Sequence, residues 1–395
     1  MIRGYWTVWT TVALDLVGFG IVVPILGLYA ERFGASGFEV GALFATFSVA
    51  QLLFSPLLGR LSDRIGRKPV IIISLVGTAL GSLVTGLANS MWLLFVGRAI
   101  DGASGASLAV AQAAVADMAP PDRRPQLVGM LGAAFGVGFV IGPAIGGLAA
   151  LGGPHVPFFV AAGLAGANAI AAAIRLPETR PATSASPAPD HHGRHRIGRR
   201  AATPRLAQLA VVGVLTTLAF VGFEATFSLF GRARFDLTEG SAAFVFLGIG
   251  VVLVLVQGVA FGRIVGALGV HRVYPVALSL VAAGLALVGL AGSWPVLVIA
   301  LLVLAVGQGI AAPSVTELVN RASPPSRGGE AMGFQQSAAA MARVIGPPAA
   351  GAAFDSVGVW SPMAAGSALT VMALVLVVGW KVHSTHEFDL SGAPA

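Results

Sequence analysis

The sequence predicts an all-α integral membrane protein with twelve transmembrane helices in two pseudo-symmetric six-helix bundles. Three observations lead there. The 395 residues are 56% hydrophobic and only 10% charged, against about 25% charged in a soluble domain, and the mean hydropathy is +0.85. So much apolar surface exceeds what one aqueous core can hide, which makes the bilayer the expected solvent. Apolar runs of spanning length follow one another along the chain, and the second half of the sequence repeats the first. The composition excludes a disordered chain. The absence of cysteine excludes a disulfide scaffold, a zinc finger and a cysteine nucleophile.

A span needs roughly 20 apolar residues. Such runs are expected at 5–30, 39–61, 70–88, 91–117, 126–151, 156–175, 206–231, 240–265, 273–292, 295–320, 330–354 and 360–382. They read as helices because open sheet edges do not sit in lipid. The first continues as a span instead of ending at a cleavage site, so no signal peptide is expected; it carries Asp15 near mid-depth. The second ends in the basic stretch GRLSDRIGRKP from Gly59. The fourth holds Arg98 and Asp101, three apart and so on one helix face. The fifth offers Gly132, Gly136, Gly138, Gly142, Gly146 and Gly147 as a smooth packing surface, with Pro143 expected to bend it.

From about Pro177 to Pro204 the sequence turns to Pro, Ser, His and Arg, which cannot bury a core and reads as a flexible linker. Its His191, His192 and His195 read as solvated rather than as a metal site. The expected organisation is a six-helix half over 1–176, a linker over 177–205, and a second six-helix half with a short tail over 206–395. In that second half the seventh span carries Glu224, an intramembrane acid and therefore a functional candidate. Glu317 stands four residues before Arg321 and is expected to form a local salt bridge. The eleventh span supplies Gln335, Gln336 and Arg343 as cavity candidates, with Arg343 expected to be buried.

Charge sets the orientation. Nineteen of the 24 Lys and Arg fall in loops on one side, and only Arg32, Arg232 and Arg234 on the other. The positive-inside rule then places both termini and the linker in the cytoplasm. The repeat is gapless where it is clearest. PPDRRPQLVGMLGAAFGVGFVIGPAIGG from Pro120 aligns with PPSRGGEAMGFQQSAAAMARVIGPPAAG from Pro324, and Gly18-Phe19 with Gly222-Phe223. GRLSDRIGRKP has a worn copy, GRIVGALGVHR, from Gly262. Parallel repeats of six spans imply a transporter with its substrate site near the midplane.

GRLSDRIGRKP resembles the signature between the second and third spans of the major facilitator superfamily. There Gly59 is expected to permit close helix approach. Asp63, Arg64, Arg67 and Lys68 would form a conformational latch, and the resemblance makes Asp117 the partner of the arginines. Plain positive-inside anchoring explains the basic residues but not Asp63. FVGRAIDGASGA resembles the fourth-span motif of the family, in which the first and fourth spans pack together. That packing makes Asp15, Arg98 and Asp101 the expected proton-coupling site, with a static helix-positioning ion pair as the alternative. The glycine-rich fifth span, through Gly138, Gly142, Pro143, Gly146 and Gly147, resembles the antiporter motif of the superfamily.

The first half is most similar to tetracycline/proton antiporters and multidrug relatives. It departs from them at Gly81, where tetracycline exporters carry an acid, and in the eighth and ninth spans, which offer only Gln257 in place of polar His and Asp. The resemblance implies a monomeric, proton-coupled exporter of lipophilic drug-like compounds in a bacterial inner membrane. Its partners would be the small-molecule substrate, protons and the lipid bilayer, with no nucleic acid, metal or cofactor. Glu224 would suit a lipophilic cation or carry a proton. The alternative is a proton-coupled importer of a sugar or organic anion. An enzyme is not expected, and no GxxxxGK[ST] sequence is present to bind ATP phosphates.

Overall fold

The computed structural model describes residues 4–120, 123–179, 204–323 and 328–389. Regular structure among them is helical throughout. The helices are α1 Tyr5–Glu31, α2 Gly37–Ile65, α3 Arg67–Gly86, α4 Met91–Ser104, α5 Ser107–Met118, α6 Arg124–Ala150, α7 Val156–Arg175, α8 Pro204–Phe235, α9 Glu239–Leu255, α10 Phe261–Leu268, α11 Val270–Leu290, α12 Trp294–Ala322, α13 Gly328–Ser356 and α14 Ser361–Asp389. A five-residue π-turn, Val256–Ala260, joins α9 to α10 and contains Gln257. Eleven helical stretches are long and apolar enough to cross a bilayer, with α4–α5 and α9–α10 each forming one of them. The expected span at 330–354 forms α13, 29 residues long, yet falls short of that apolarity. Gln335, Gln336, Ser337 and Arg343 dilute it. The linker histidines lie outside the described residues.

The fourth span, expected as one helix, is two. It breaks at Gly105 and Ala106, where Gly105 has ψ +33° and the hydrogen-bond ladder is interrupted. Gln51 on α2 donates to the freed Gly105 carbonyl at 2.8 Å, as a carbonyl in an apolar span requires. Elsewhere the ends follow local chemistry. Ser36 and Glu39 form a reciprocal capping box at α2, and Thr238 caps α9 by accepting from Ser241 N at 3.3 Å. The turns from α2 to α3 and from α10 to α11 use Gly66 (φ +106°) and Gly269 (φ +77°). These two occupy the same place in the two copies of the GR motif, and positive φ costs glycine little.

Packing divides the chain into two units: Met1–Arg196 with Glu224–Val251, and Ile197–Phe223 with Val252–Ala395. The first is built on α1. Tyr5, Val8 and Val12 are buried with Ile71 and Leu75 of α3, Val110 of α5, Leu131 of α6 and Ala169 of α7. Segment 224–251 packs against α1 and α6 in this unit: a Cβ built at Gly27 would lie 2.6 Å from Ser228 Oγ, and one at Gly147 would lie 3.3 Å from the Gly240 carbonyl. In the second unit α11 and α12 cross on glycines. A Cβ at Gly284 would lie 2.7 Å from Leu304 Cα, and one at Gly307 would lie 2.7 Å from Val281 N.

Candidate functional site

The intramembrane charges of the first unit gather at the break in the fourth span. Arg98 is buried, and its Nη1 donates to Asp101 Oδ2 at 2.7 Å. Its guanidinium carbon stands 4.4 Å from the centroid of the Phe47 ring, a cation–π contact that offsets part of the cost of taking the charge out of water. The Arg98 Nε has no hydrogen-bond partner. Asp15 on α1 does not bond to Arg98. Its carboxylate accepts instead from the Ser107 hydroxyl, and Asp101 is close enough to act on it electrostatically. Ser107 opens α5, so Asp15 sits at the N-terminal end of a half-helix, where backbone N–H groups carry partial positive charge. Discontinuous helices with such ends are how transporter folds build sites in apolar surroundings.

Two of these partners were not expected. Ser107 is hidden in a run of small residues, GASGAS. Phe47 reads as one more apolar residue of the second span. Phe47 sits where it does because α2 crosses α4 at contact distance: a Cβ at Gly102 would lie 2.8 Å from Phe47 Cα; Ser107 is placed by the break that starts α5. Gly81 is likewise a crossing point. A Cβ there would lie 2.8 Å from both Asp101 N and the Gly97 carbonyl. An acid at this position has no room unless α3 and α4 separate, so the departure from tetracycline exporters at Gly81 has a steric basis in this chain.

A second charge cluster stands at the α2–α3 turn. Arg67 donates from Nη1 to Asp63 Oδ1 at 2.6 Å and from Nε to Asp117 Oδ2 at 2.9 Å, and from Nη1 to Ser62 Oγ at 2.7 Å. Glu178 accepts from the backbone N–H groups of Arg67 (2.9 Å) and Lys68 (3.2 Å), closing the start of α3. Arg64 is exposed and Lys68 half-buried. Gly59 does not serve close approach: a Cβ there would meet nothing within 4 Å. The glycine of this motif that is closely packed is Gly66, against the Glu178 carboxylate.

The fifth-span glycines, on α6, divide by face. Cβ atoms at Gly138, Gly142 and Gly146 would lie 2.6 Å from the Leu16 carbonyl, 2.6 Å from Gly20 Cα and 3.0 Å from the Ile21 carbonyl, all on α1. Gly147 faces α9 instead. Gly132 faces open space, so the packing surface is shorter than expected. Pro143 lies inside α6, which continues through it. At the other end of α1 stand ion pairs that the charge count had treated only as topology signals. Arg32 Nε bonds to Glu239 Oε1 at 2.7 Å, and Arg232 approaches Glu31 at 4.0 Å.

Glu224 is half-buried on α8. In the second unit Glu317 and Arg321 pair at 2.7 Å. Arg343 is exposed rather than buried, and so is Gln336; seven residues apart, they share one uncovered face of α13. Gln335 is half-buried, with its Oε1 enclosed and unpartnered. No group of three or more potential metal ligands occurs among the described residues.

The sequence profile of the Major Facilitator Superfamily matches residues 8–267 and 251–392. The chain is 32% identical over 347 residues to the class D tetracycline resistance protein of Salmonella ordonez, covering 85% of each chain. It is 27% identical to multidrug resistance protein 1 of Bacillus subtilis strain 168, covering 94% of this chain and 95% of that one. Among solved structures it is similar to the human organic anion transporter MFSD10, with a TM-score of 0.69 and 25% identity over 95% of this chain and 99% of that one.

Proposed function

The chain belongs to the major facilitator superfamily, and from that membership we propose a proton-coupled exporter of lipophilic, drug-like compounds working by alternating access. The observation that carries the reading is the polar cluster at the broken fourth span: half-buried Asp15 on buried Ser107, with the buried Arg98–Asp101 pair beside it. A half-buried carboxylate in an apolar span with no cation bonded to it is costly unless it can exchange its charge. Asp15 has a neutral donor rather than a cation as its hydrogen-bond partner, which suits a group that takes up and releases a proton. Arg98 and Asp101 neutralise each other and hold the site's geometry. The relatives named tetracycline and multidrug resistance proteins support a drug-like substrate, and the crowding at Gly81 argues that the acid used there by tetracycline exporters has no direct equivalent.

In this reading the repeat halves, 1–176 and 206–395, are the moving bodies. The Arg67 cluster ties the cytoplasmic helix ends of the first half to one another in one state, and the glycine seam of α6 on α1 restricts leak. The protein is placed in a bacterial cytoplasmic membrane with both termini inside, and acts as a monomer. A proton crossing 100 mV releases about 2.3 kcal/mol, enough for roughly tenfold accumulation or more.

The test is proton movement in inside-out vesicles energised by respiration, with tetracyclines, macrolides, phenicols and lipophilic cations added singly. The expected result is that one class collapses the pH gradient in wild type and not in Asp15→Asn. If no compound does so, while a sugar or organic anion drives proton entry into right-side-out vesicles, the protein is an importer.

A further inference from the structure

Two serines share one short run of the fourth span, Gly102-Ala103-Ser104-Gly105-Ala106-Ser107, and they bond differently. Ser104 Oγ donates to the Ile100 carbonyl at 2.9 Å. That is the back-bond a helix serine or threonine commonly makes, and Thr46, Ser48 and Thr85 make it in this unit too. Ser107, beyond the break, gives its hydroxyl to Asp15 instead. Had α4 continued unbroken, Ser107 would stand about 120° round the helix from Asp101 and opposite Arg98. The break therefore decides that this hydroxyl meets the carboxylate. One side chain holds the break open. Gln51 Nε2 on α2 donates to the Gly105 carbonyl at 2.8 Å, which a continuous helix would give to the backbone N–H four residues on. A Cβ at Gly105 would lie 2.7 Å from that Nε2, so the amide seats only over glycine.

We infer that Gln51 and Ser107 are positioning residues for proton exchange at Asp15: the Gln51–Gly105 hydrogen bond keeps the fourth span open, and the open span keeps the Ser107 hydroxyl on the carboxylate. A hydroxyl suits that place because it both donates and accepts. It donates to Asp15 while the carboxylate is ionised and accepts the carboxyl O–H once Asp15 holds a proton. The bond to the ionised form is the stronger of the two. The charge that also acts on Asp15 is that of Asp101, which is paired with Arg98. Of the other helices in this unit, α2, α3, α5, α6 and α7 carry ionisable residues only near their ends. Glu224 heads the segment that meets α1 at Gly27, twelve residues beyond Asp15. The inference rests on the reading of Asp15 as the proton carrier, and Gln51 acts on Asp15 through Ser107.

The test is infrared titration of the purified full-length chain in detergent, following the neutral-carboxyl band that Asp15→Asn removes. It needs no transported compound. Ser107→Ala is expected to move the midpoint of that band up by about one pH unit, the difference between a hydrogen bond to a charged group and one to a neutral group. Ser107→Thr keeps the hydroxyl and is expected to titrate as wild type. Gln51→Leu is expected to move the midpoint in the same direction as Ser107→Ala. The double variant is expected to move it no further than Ser107→Ala alone, as for two residues on one path. Shifts that add overturn the proposal, and so does a wild-type midpoint in either Gln51→Leu or Ser107→Ala. Should Gln51→Leu not be recovered folded, Gly105→Ala takes its place, because the added Cβ displaces the same amide. If Asp15→Asn removes no band at any pH the protein tolerates, Asp15 is not a proton carrier, and the export reading loses its carrier together with this inference. A band that Asp15→Asn removes and Gln51→Leu leaves unmoved overturns this inference alone.

Discussion

Asp15 and Arg98 are both ionisable groups in apolar helices, yet their surroundings assign them different work. Arg98 is held by Asp101 and the Phe47 ring, so removing either partner strands a charge, at a cost of about 3–5 kcal/mol for a broken buried pair. Arg98→Ala is therefore expected to lower the thermal midpoint and yield of the purified protein. Arg98→Lys should recover only part of that loss, because a compact ammonium cannot match the planar guanidinium on the ring. Asp15→Asn keeps an acceptor for Ser107. It should leave the midpoint nearly unchanged while substrate-induced proton release falls by about tenfold or more, as expected when a membrane-embedded proton carrier is lost. A variant that kept wild-type proton release would remove Asp15 from the mechanism. The charges were legible in the sequence because Asp and Arg stand out in apolar runs. Ser107 and Phe47 were not, because a serine among alanines and glycines and one more phenylalanine in an apolar span give no signal until the helices are placed.

At the level of elements, glycine position matters more than glycine content. Gly142 and Gly132 belong to one motif on one helix, but only Gly142 touches α1 backbone, where a methyl group would sit 2.6 Å from Gly20 Cα. Gly142→Ala is expected to cost about 1–3 kcal/mol by overpacking, seen as a lowered thermal midpoint, and Gly132→Ala to cost nothing measurable. Equal effects would mean that α6 and α1 are not in the described contact. The GR motif gives the same lesson: Gly59 faces open space while Gly66 makes the turn. The sequence supplied the helices and, apart from the end of α14, their limits to within a few residues, since hydropathy is additive along the chain; eleven of the twelve expected spans are apolar enough to cross a bilayer. It did not supply which face of a glycine-rich helix is covered, nor the break at Gly105, because three-dimensional crossings decide both.

Across the whole molecule, distant segments of the chain meet at the far end of α1. Arg32 and Glu239, more than two hundred positions apart, form a 2.7 Å pair with Arg32 about half exposed. Such a pair is worth only about 0.2–1 kcal/mol, small enough to open and close during transport. Reversing either charge alone is expected to slow exchange about threefold, the kinetic equivalent of that energy, and the double reversal Arg32→Glu with Glu239→Arg to restore it. Substrate exchange rates in vesicles check this; a double variant as slow as either single would mean that the pair has no part in the cycle. The pairing was invisible in the sequence because the net charge of a loop reveals its side of the membrane and not its partner.

The π-turn at Val256–Ala260 carries a record of how the two halves came to differ. Their helices start from matching caps, Ser36 and Thr238, and end at matching glycines, Gly66 and Gly269, yet the later copy is one residue longer between those points. A π-turn absorbs one surplus residue without ending a helix. An insertion that would have rotated everything beyond it by about 100°, one residue's share of a 3.6-residue turn, is thus confined to a single bulge, and the second GR segment keeps its place. Deleting one residue from that bulge should leave the downstream helix faces where they are, whereas the same deletion earlier in α9 would turn them away from their neighbours.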